Sequence, residues 1–283
     1  MLDPQPGQVV LDGTIKLGGH AAAILPRITP GGLYIGLDWD ERMLAQARDR
    51  LRPEWDAHVL KLYAASYADF PEVLAQAGVE SVDHMLLDLG INSAQLDDPT
   101  RGFSFEREGP LDMRFDAEGE TQAVDLVNKL SETDLANVLY ELGGETHSRR
   151  IAKRICQARH SRRIVTTAQL ARIVESAIGR SGRIHPATKT FQALRIAVNR
   201  ELENLERFLE QTPQYLKPGG KLAVISFHSL EDGAVKRFLK SAKKSGTFEE
   251  LTKRPVVADT DERDENPRSR SAKLRVAVRV ESQ

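Results

Sequence analysis

Short apolar runs recur at a nearly constant spacing along the first third of the chain. Runs rich in Val, Leu and Ile begin at positions 9, 33, 58 and 82, and a helix-like stretch separates each run from the next. The runs are 9–11, 33–37, 58–63 and 82–87, and the stretches are 19–27, 41–51 and 70–77. One strand and one helix in every ~25 residues is typical of right-handed βαβ units, which build a parallel sheet.

The alternation stops after the fourth run. The next convincing strand, 221–227, begins 139 residues after the start of the fourth and follows a Pro218-Gly219 break. The intervening residues have helical spacing: an N-cap at Ser131, helices over 149–159 and 166–178, and one long helix over 191–209. We also expect a helix over 232–240, a polar loop over 259–270 and a final strand over 273–280. The pattern predicts an α/β fold in which a helical domain (98–190) interrupts a sheet domain (1–97 and 191–283).

The charge of the chain is segregated along its length, although 40 basic and 41 acidic residues nearly balance. Residues 1–145 carry 26 acidic and 11 basic side chains, whereas residues 146–199 carry 12 basic side chains against Glu175 alone. Such a density of positive charge repels itself unless an anionic partner binds, which favours nucleic acid as the partner. Pairing of these charges with the acidic N-terminal part is the alternative that the sequence leaves open.

The composition excludes several classes of protein. With 283 residues, 40% hydrophobic and 29% charged, the chain is long and apolar enough for a sizeable core. It has neither the ~18 uninterrupted apolar residues of a membrane-spanning helix nor a secretory signal profile at its start. Its single cysteine, Cys156, cannot form an internal disulfide or a multi-thiolate metal site. We expect a cytoplasmic or organelle-matrix protein, the cytoplasm being favoured, without a structural metal and with Cys156 as a packing residue.

Polar residues follow each expected strand, at the edge of a parallel sheet where ligands bind. The strand ends carry Asp12 with its glycine loop, Asp38, Ser66-Tyr67, Asp88 and Ser226-Phe227-His228. Asp38 lies 18 residues beyond His20, near the ~20-residue spacing at which an acid accepts hydrogen bonds from a ribose. Gly13, Gly18 and Gly19 do not fit the G-x-G-x-x-G pattern of a dinucleotide site. S-adenosylmethionine, which has no phosphate, is therefore favoured over a dinucleotide as the cofactor.

Longer motifs surround these strand ends and give a specific resemblance. They are Asp12-Gly-Thr, Gly18-Gly-His20, Leu87-Asp-Leu-Gly-Ile-Asn-Ser-Ala-Gln-Leu-Asp97, Arg101-Gly-Phe-Ser-Phe105, Gly109-Pro-Leu-Asp-Met-Arg114, the stretch from His185 to Asn199, Ile225-Ser-Phe-His-Ser-Leu-Glu-Asp232 and Asn266-Pro-Arg-Ser-Arg-Ser-Ala-Lys-Leu-Arg275. Together they resemble the ribosomal RNA small subunit methyltransferase H family over nearly the whole chain. The resemblance implies a Rossmann-like S-adenosylmethionine-dependent methyltransferase fold with an inserted helical domain.

The same resemblance implies a reaction and a partner. The reaction is methylation of the N4 amine of a cytidine in the decoding region of small-subunit (16S) ribosomal RNA, and the partner is the small ribosomal subunit. No membrane partner is expected, and the oligomeric state stays open, with a homodimer as one alternative. The residues implied to contact S-adenosyl-L-methionine are Gly18, Gly19, His20, Asp38, Tyr67, Asp88 and Gln95. The chain departs from the family at Lys16, where glycine is usual; this cation would either repel the sulfonium or reach the carboxylate of the donor.

The chemistry needs acceptors for the amine protons, because the N4 lone pair is delocalised into the ring. We expect Asp88 and Asn92 near the amine, His228 as proton relay or base contact, and Phe103 or Phe105 against the displaced base. The residues expected to hold RNA phosphates are Arg149, Arg150, Lys153 and Arg154 in the insert, and Arg268, Arg270, Lys273 and Arg275 near the C-terminal end. Two alternatives stay open: a catalytically impaired rRNA-binding assembly factor, and an amino-methyltransferase for another nucleic acid such as DNA.

Overall fold

The structure is a computed structural model that describes residues 1–180 and 185–281. It divides into two compact units: the first comprises Met1–Gly90 and Leu202–Gln283, and the second comprises Ile91–Glu201. The sequence pattern predicts the boundaries at 97/98 and 190/191 instead. The helical unit takes in more chain on both sides because Leu96, Phe191 and Leu194 belong to its hydrophobic core.

Eight strands form one sheet among the described residues. They are β1 (Val9–Asp12), β2 (Leu33–Asp38), β3 (Leu60–Ala64), β4 (Val82–Asp88), β5 (Leu216–Ser226), β6 (Phe248–Glu250), β7 (Val256–Val257) and β8 (Lys273–Arg279). Their order is β3-β2-β1-β4-β5-β8-β6, with β7 paired to β8. Strands β1 to β5 pair in parallel, whereas β8 is antiparallel to its neighbours. The predicted parallel sheet is confirmed, and the predicted last strand forms its antiparallel edge.

Thirteen α-helices accompany these strands in the described part of the chain. They are α1 (Gly19–Ile28), α2 (Glu41–Arg50), α3 (Arg52–Asp56), α4 (Phe70–Ala77), α5 (Ser93–Asp97), α6 (Ala123–Lys129), α7 (Glu132–Glu141), α8 (Ser148–Ser161), α9 (Thr167–Ile178), α10 (Thr188–Asn199), α11 (Glu201–Tyr215), α12 (Ser229–Lys244) and α13 (Thr260–Glu265). None of the helices in 1–180 or 185–281 is long and apolar enough to cross a membrane.

Helices cover both faces of the sheet. Because successive side chains of a strand point to opposite faces, Val10 and Leu11 lie in two different hydrophobic cores. The core around Leu11 joins the strands to α4, α11 and α12, with Phe70 and Phe208 among its fully buried side chains. The core around Val10 joins them to α1 and α2, with Leu25 fully enclosed. The sheet is therefore a rigid support for the loops at its edge.

The second unit has a hydrophobic core of its own, built from α6 to α10. Ser131 caps α7 as predicted, because its hydroxyl accepts a hydrogen bond from the backbone N of Asp134 at 3.1 Å. In α8 the apolar positions Ile151 and Ile155 are fully buried, and Cys156 packs beside them. The prediction of Cys156 as a packing residue is confirmed.

The long helix predicted over 191–209 is two helices, α10 and α11. They are separated at Arg200, whose backbone is left-handed (φ 49°). The side chain of Asn199 donates to the backbone O of Met113 at 2.8 Å and accepts from the backbone N of Phe115 at 2.7 Å. These bonds fix the end of α10 within the helical unit, so the chain turns before it continues as α11.

The prediction of a polar loop over 259–270 is also wrong. It contains α13 and a 3-10 turn over Pro267–Ser271. The carboxylate of Asp259 accepts from the backbone N of Glu262 at 2.9 Å, and Asn266 accepts from the backbone N of Arg268 at 3.2 Å. Capping side chains, not an apolar face, define these short elements, and for that reason the hydrophobic pattern misses them.

Candidate functional site

The order of the strands in the sheet reverses between β1 and β4. The chain runs from β1 through β2 to β3 and then returns to the other side of β1 as β4. In open α/β sheets ligands bind beyond the carboxyl ends of the strands at such a switch point. Here the hydroxyl of Thr14 accepts a hydrogen bond from the backbone N of Asp88 at 2.6 Å, and the backbone N of Gly13 donates to Leu86 O at 2.9 Å. These bonds tie the loop after β1 to the end of β4.

Asp12 and Tyr34 form a buried pair beneath this loop. The hydroxyl of Tyr34 donates to Oδ2 of Asp12 at 2.7 Å, and the backbone N of Thr14 donates to Oδ1 at 3.0 Å. Burial raises the pKa of Asp12 and raises the pKa of Tyr34 well above its ordinary value. The pair supports the loop from below rather than facing a ligand, since both side chains are fully enclosed.

Asp38 ends β2 and faces the same loop. Its two carboxylate oxygens accept from the backbone N of Asp40 at 2.9 Å and from the backbone N of Lys16 at 3.0 Å. Burial raises the pKa of Asp38 to about 6, although both backbone bonds act in the opposite direction. The side chain of Asp40 caps α2 by accepting from the backbone N of Arg42. Asp38 is thus a positioned acceptor of the kind that binds ribose hydroxyls.

Asp88 ends β4, where the side chains of Lys16 and His20 lie close to it. Nζ of Lys16 lies 2.9 Å from its Oδ2, and Nε2 of His20 lies 3.5 Å from the same oxygen. Burial opposes the ionisation of Asp88, but the hydrogen bond from His20 and the charge of Lys16 outweigh it and lower the pKa of Asp88. The bond to Asp88 raises the pKa of His20 in turn, against the effect of burial. Asp88 is therefore held as a carboxylate.

The glycine loop leads into α1 at the same edge. Gly18 precedes the helix with a left-handed backbone (φ 75°), a conformation that glycine adopts without strain. A Cβ on Gly19 would meet nothing within 4 Å, so the backbone here faces open space. A Cβ on Gly13, by contrast, would lie 2.7 Å from Cβ of Tyr67. Tyr67 itself is half-buried and packs edge-on against Phe208, with ring centroids 5.9 Å apart.

Three other predicted site residues are helix-capping residues in the structure. Asn92 and Gln95, both in the second unit, cap α5 reciprocally: Oδ1 of Asn92 accepts from the backbone N of Gln95 at 2.9 Å, and Oε1 of Gln95 accepts from the backbone N of Asn92 at 3.2 Å. His228 caps α12, and its Nε2 lies 3.0 Å from Oε1 of Glu231. Within the first unit, the structure brings together Asp38, Asp88, His20 and the glycine loop; the side-chain contacts of His228 are with Glu231.

Two predicted roles are wrong. Phe103 belongs to the core of the helical unit, where its ring lies 5.5 Å from that of Phe115, so it offers no free face to a base. Phe105 is only partly buried, with its ring 4.5 Å from that of His185, and its contact with the displaced base stays a prediction. Arg275 is buried and bonded to Asp232 at 2.7 Å, so it is a structural cation of the sheet rather than a phosphate contact.

The basic face expected to hold RNA is present on α8. Arg149, Arg150, Lys153 and Arg154 are all exposed on this helix. Arg154, with Arg172 from α9, lines an open groove of about 430 Å³ that also has Ser161, Gln157 and Ser176 in its wall. Two cations and several hydroxyl and amide groups make this groove suited to an anionic ligand.

Other basic residues have different surroundings. Arg268 and Arg270 are exposed in the 3-10 turn, while Nζ of Lys273 lies 3.6 Å from Asp232. Arg159 donates to the backbone O of Val127 and Leu130, and so closes the end of α6. Arg183, one of the basic residues of segment 146–199, lies outside the described residues.

Sequence reasoning missed two residues that organise the site. Thr14 lies in a motif that carried the resemblance, yet no pattern indicated that its hydroxyl holds the backbone of Asp88. Tyr34 lies inside an apolar run, so its hydroxyl bond to Asp12 had no signal in hydropathy. The polar atom of Tyr34 within an apolar run was the only available indication.

Comparison with known proteins shows the family to which the chain belongs. The model of the MraW methylase family matches residues 1–280. "Ribosomal RNA small subunit methyltransferase H" of Sorangium cellulosum is 50% identical over 281 residues, covering 99% of this chain and 87% of that protein. The protein of the same name from Deinococcus radiodurans is 51% identical over 280 residues, covering 99% and 86%. A solved SAM-dependent O-methyltransferase from Thermotoga maritima is 11% identical, with a TM-score of 0.42 over 100% of this chain and 63% of that chain. On the family match and the two relatives at 50% and 51% identity, the chain belongs to the MraW methylase family.

Proposed function

We propose that this protein transfers a methyl group from S-adenosylmethionine to the N4 amine of a cytidine in the decoding region of 16S ribosomal RNA. The observation that carries the proposal is the convergence of Asp38 and Asp88 on one glycine loop at the switch point of the sheet. The family and its rRNA methyltransferase relatives supply the substrate class. The specific atom and nucleotide rest on the motifs of the sequence.

The residues at the strand ends fit an adenosyl donor. Asp38 offers carboxylate oxygens to the ribose hydroxyls, and the backbone of the loop is approachable at Gly19, where a Cβ would meet nothing within 4 Å. Tyr67 offers an aromatic ring against which adenine can pack. His20 and Gln95 complete the set of expected contacts. A pyrophosphate would need a glycine pattern that this loop lacks.

The donor, when bound, supplies a methyl group on a positively charged sulfur. The residues of the site must then align the amine with that methyl and accept the proton that the amine releases. Asp88 is suited to hold the amine protons by hydrogen bonding because, despite its burial, His20 and Lys16 lower its pKa and keep it a carboxylate. Asn92, four residues further along the chain, adds an amide oxygen as the second proposed acceptor. His228 is the proposed proton relay or base contact.

The exposed cations of α8 supply the surface for the RNA backbone. Arg149, Arg150 and Lys153 are exposed on the same helix as Arg154, which lines the groove, and we assign all four to phosphate contacts. Arg268, Arg270 and Lys273 are a second proposed phosphate cluster, on the first unit. The target cytidine must leave its stack to be methylated, which costs a few kcal/mol that these contacts offset. The cytoplasmic location stays a prediction, and the oligomeric state stays open.

The decisive experiment incubates the protein with small ribosomal subunits from cells that lack this modification, together with methyl-labelled S-adenosylmethionine. The expected result is one labelled cytidine in the decoding region, carrying N4-methylcytosine. Parallel reactions with free 16S rRNA and with DNA of the same sequence test the other nucleic acid substrates, and Asp88→Ala is the inactive control. Tight subunit binding without label would favour the assembly-factor alternative, which the pairing of Lys16 with Asp88 makes worth testing.

A further inference from the structure

Lys16 has a left-handed backbone in the middle of the glycine loop, with φ at 51°. The left-handed backbone conformation is strained for any residue with a Cβ, and such a residue keeps it only where the surrounding contacts hold it there. The backbone N of Lys16 donates to Oδ2 of Asp38 at 3.0 Å, which anchors the strained residue at the end of β2. The chain therefore keeps a lysine where the backbone favours glycine.

The side chain of Lys16 reaches from this anchor to the end of β4. Its Nζ donates to Oδ2 of Asp88 at 2.9 Å and to the backbone O of Leu89 at 3.3 Å, and it lies 5.7 Å from the ring centroid of Phe227. The side chains of Lys16 and Asp88 are only 15% and 17% exposed, so the ion pair is shielded from water. A cation of the protein is thus fixed among the strand ends that are proposed to hold the donor.

We infer that Lys16 is a specificity-determining residue that competes with the sulfonium of the methyl donor for Asp88. The inference rests on the proposed donor site. S-adenosylmethionine and its product, S-adenosylhomocysteine, share the adenosine, amino and carboxylate groups, but only the donor has a positively charged sulfur. A fixed ammonium in a shielded cleft therefore disfavours the donor relative to the product.

This competition has a consequence for regulation. Because the product leaves the Lys16–Asp88 pair intact, whereas the donor must share Asp88 with a second cation, the site retains the product in preference. The protein then responds to the ratio of donor to product and not to the donor concentration alone. His20, which faces the same oxygen of Asp88, adds positive charge when it is protonated, but it does so in every variant described below.

The test is calorimetric titration of both ligands into the wild type and three variants. Lys16→Met removes the charge and retains most of the length, Lys16→Gly also removes the backbone strain, and Lys16→Arg keeps the charge. Arg50→Met is the matched control, because Arg50 is an exposed cation that donates to Leu17 O in the same loop and has no contact with Asp88. The circular dichroism melting curve of each variant confirms that it is folded.

The inference predicts that the ratio of the Kd for donor to the Kd for product falls at least about tenfold in Lys16→Met and Lys16→Gly. It predicts an unchanged ratio in Lys16→Arg and Arg50→Met. An unchanged ratio in Lys16→Met, or equal weakening of both ligands, would overturn the inference and leave the proposed function standing; equal weakening would mean that Lys16 binds the shared carboxylate. Absence of binding of either ligand to every folded variant would contradict the donor site itself.

Discussion

The hydroxyl of Thr14 accepts a hydrogen bond from the backbone N of Asp88 at 2.6 Å, across the point where the strand order reverses. The bond joins the loop after β1 to the strand end that carries the proposed catalytic carboxylate. A side chain from the loop after β1 thereby fixes the backbone at the end of β4, so the position of Asp88 depends on both. The same loop contacts Asp38 through the backbone N of Lys16.

Thr14→Val is expected to loosen this connection without changing the volume of the side chain. The backbone N of Asp88 loses its acceptor, which should cost about 1–3 kcal/mol of unfolding free energy. Donor affinity should fall roughly tenfold, since a shift of Asp88 misaligns the site. Urea denaturation and calorimetry measure the two effects. Thr29→Val is the control, because its hydroxyl bonds to Leu25 O at a helix end; equal behaviour of the two variants would contradict the role of Thr14.

Tyr34→Phe is expected to destabilise the first unit from beneath the loop. The substitution leaves Oδ2 of the buried Asp12 without the hydroxyl that lies 2.7 Å away, at a cost of about 1–3 kcal/mol. Chemical denaturation should show this loss, whereas Tyr140→Phe should show none because Tyr140 is 61% exposed. If Tyr34→Phe unfolds at the same urea concentration as the wild type, the buried pair does not support the loop.

Donor binding should depend on pH through Asp38. Burial raises its pKa from 3.8 to about 6, so in the ligand-free protein this group contributes stability below about pH 4 that is lost as the pH rises through about 6. The ionised carboxylate accepts ribose hydroxyls better than the acid does. Donor affinity should therefore rise as the pH passes upward through about 6.

Calorimetric titrations from pH 5 to pH 8 measure this dependence. Asp38→Asn should bind weakly and lose the rise near pH 6, which separates Asp38 from His20 in the same cleft. Asp40→Asn should keep the rise, because asparagine also caps a helix. A rise of the same size and midpoint in Asp38→Asn would assign the titration to another group.

The basic face of α8 should control affinity for RNA. Replacement of Arg149, Arg150 and Arg154 together by Gln should weaken binding of the small subunit and reduce the slope of log affinity against log salt by about 2–3. Filter binding between 50 and 200 mM salt, over which a contact of ~6 phosphates loses roughly a thousandfold in affinity, measures the slope. The control carries the same charge change on α12, where Lys236, Lys240 and Lys243 are exposed. A slope that changes equally in both variants would mean a general charge effect.

The fold was largely readable from the sequence because its signals are periodic. The strand beginning at Val9 and the helix Phe70–Ala77 follow the alternation of the apolar runs, and the structure has both. The break at Arg200 and the short helix after Asp259 were not readable, because each depends on particular hydrogen bonds and not on hydropathy.

The candidate site likewise has residues that could be predicted from the sequence and contacts that could not. Asp38 and Asp88 were predictable because carboxyl ends of parallel strands meet at one edge of a sheet. The ion pair of Lys16 with Asp88 could not be predicted, because it requires the left-handed backbone of Lys16, which directs the lysine side chain to the end of β4. Phe103 was misassigned because an aromatic residue in a motif has the same appearance in sequence whether it packs in a core or faces a ligand.

A crystal structure of the protein with S-adenosylhomocysteine tests the central claim most directly. We predict that the ligand binds at the carboxyl ends of β1, β2 and β4, with its ribose hydroxyls within hydrogen-bond distance of the Asp38 carboxylate. A ligand bound elsewhere, or at this edge without contact to Asp38, would contradict it.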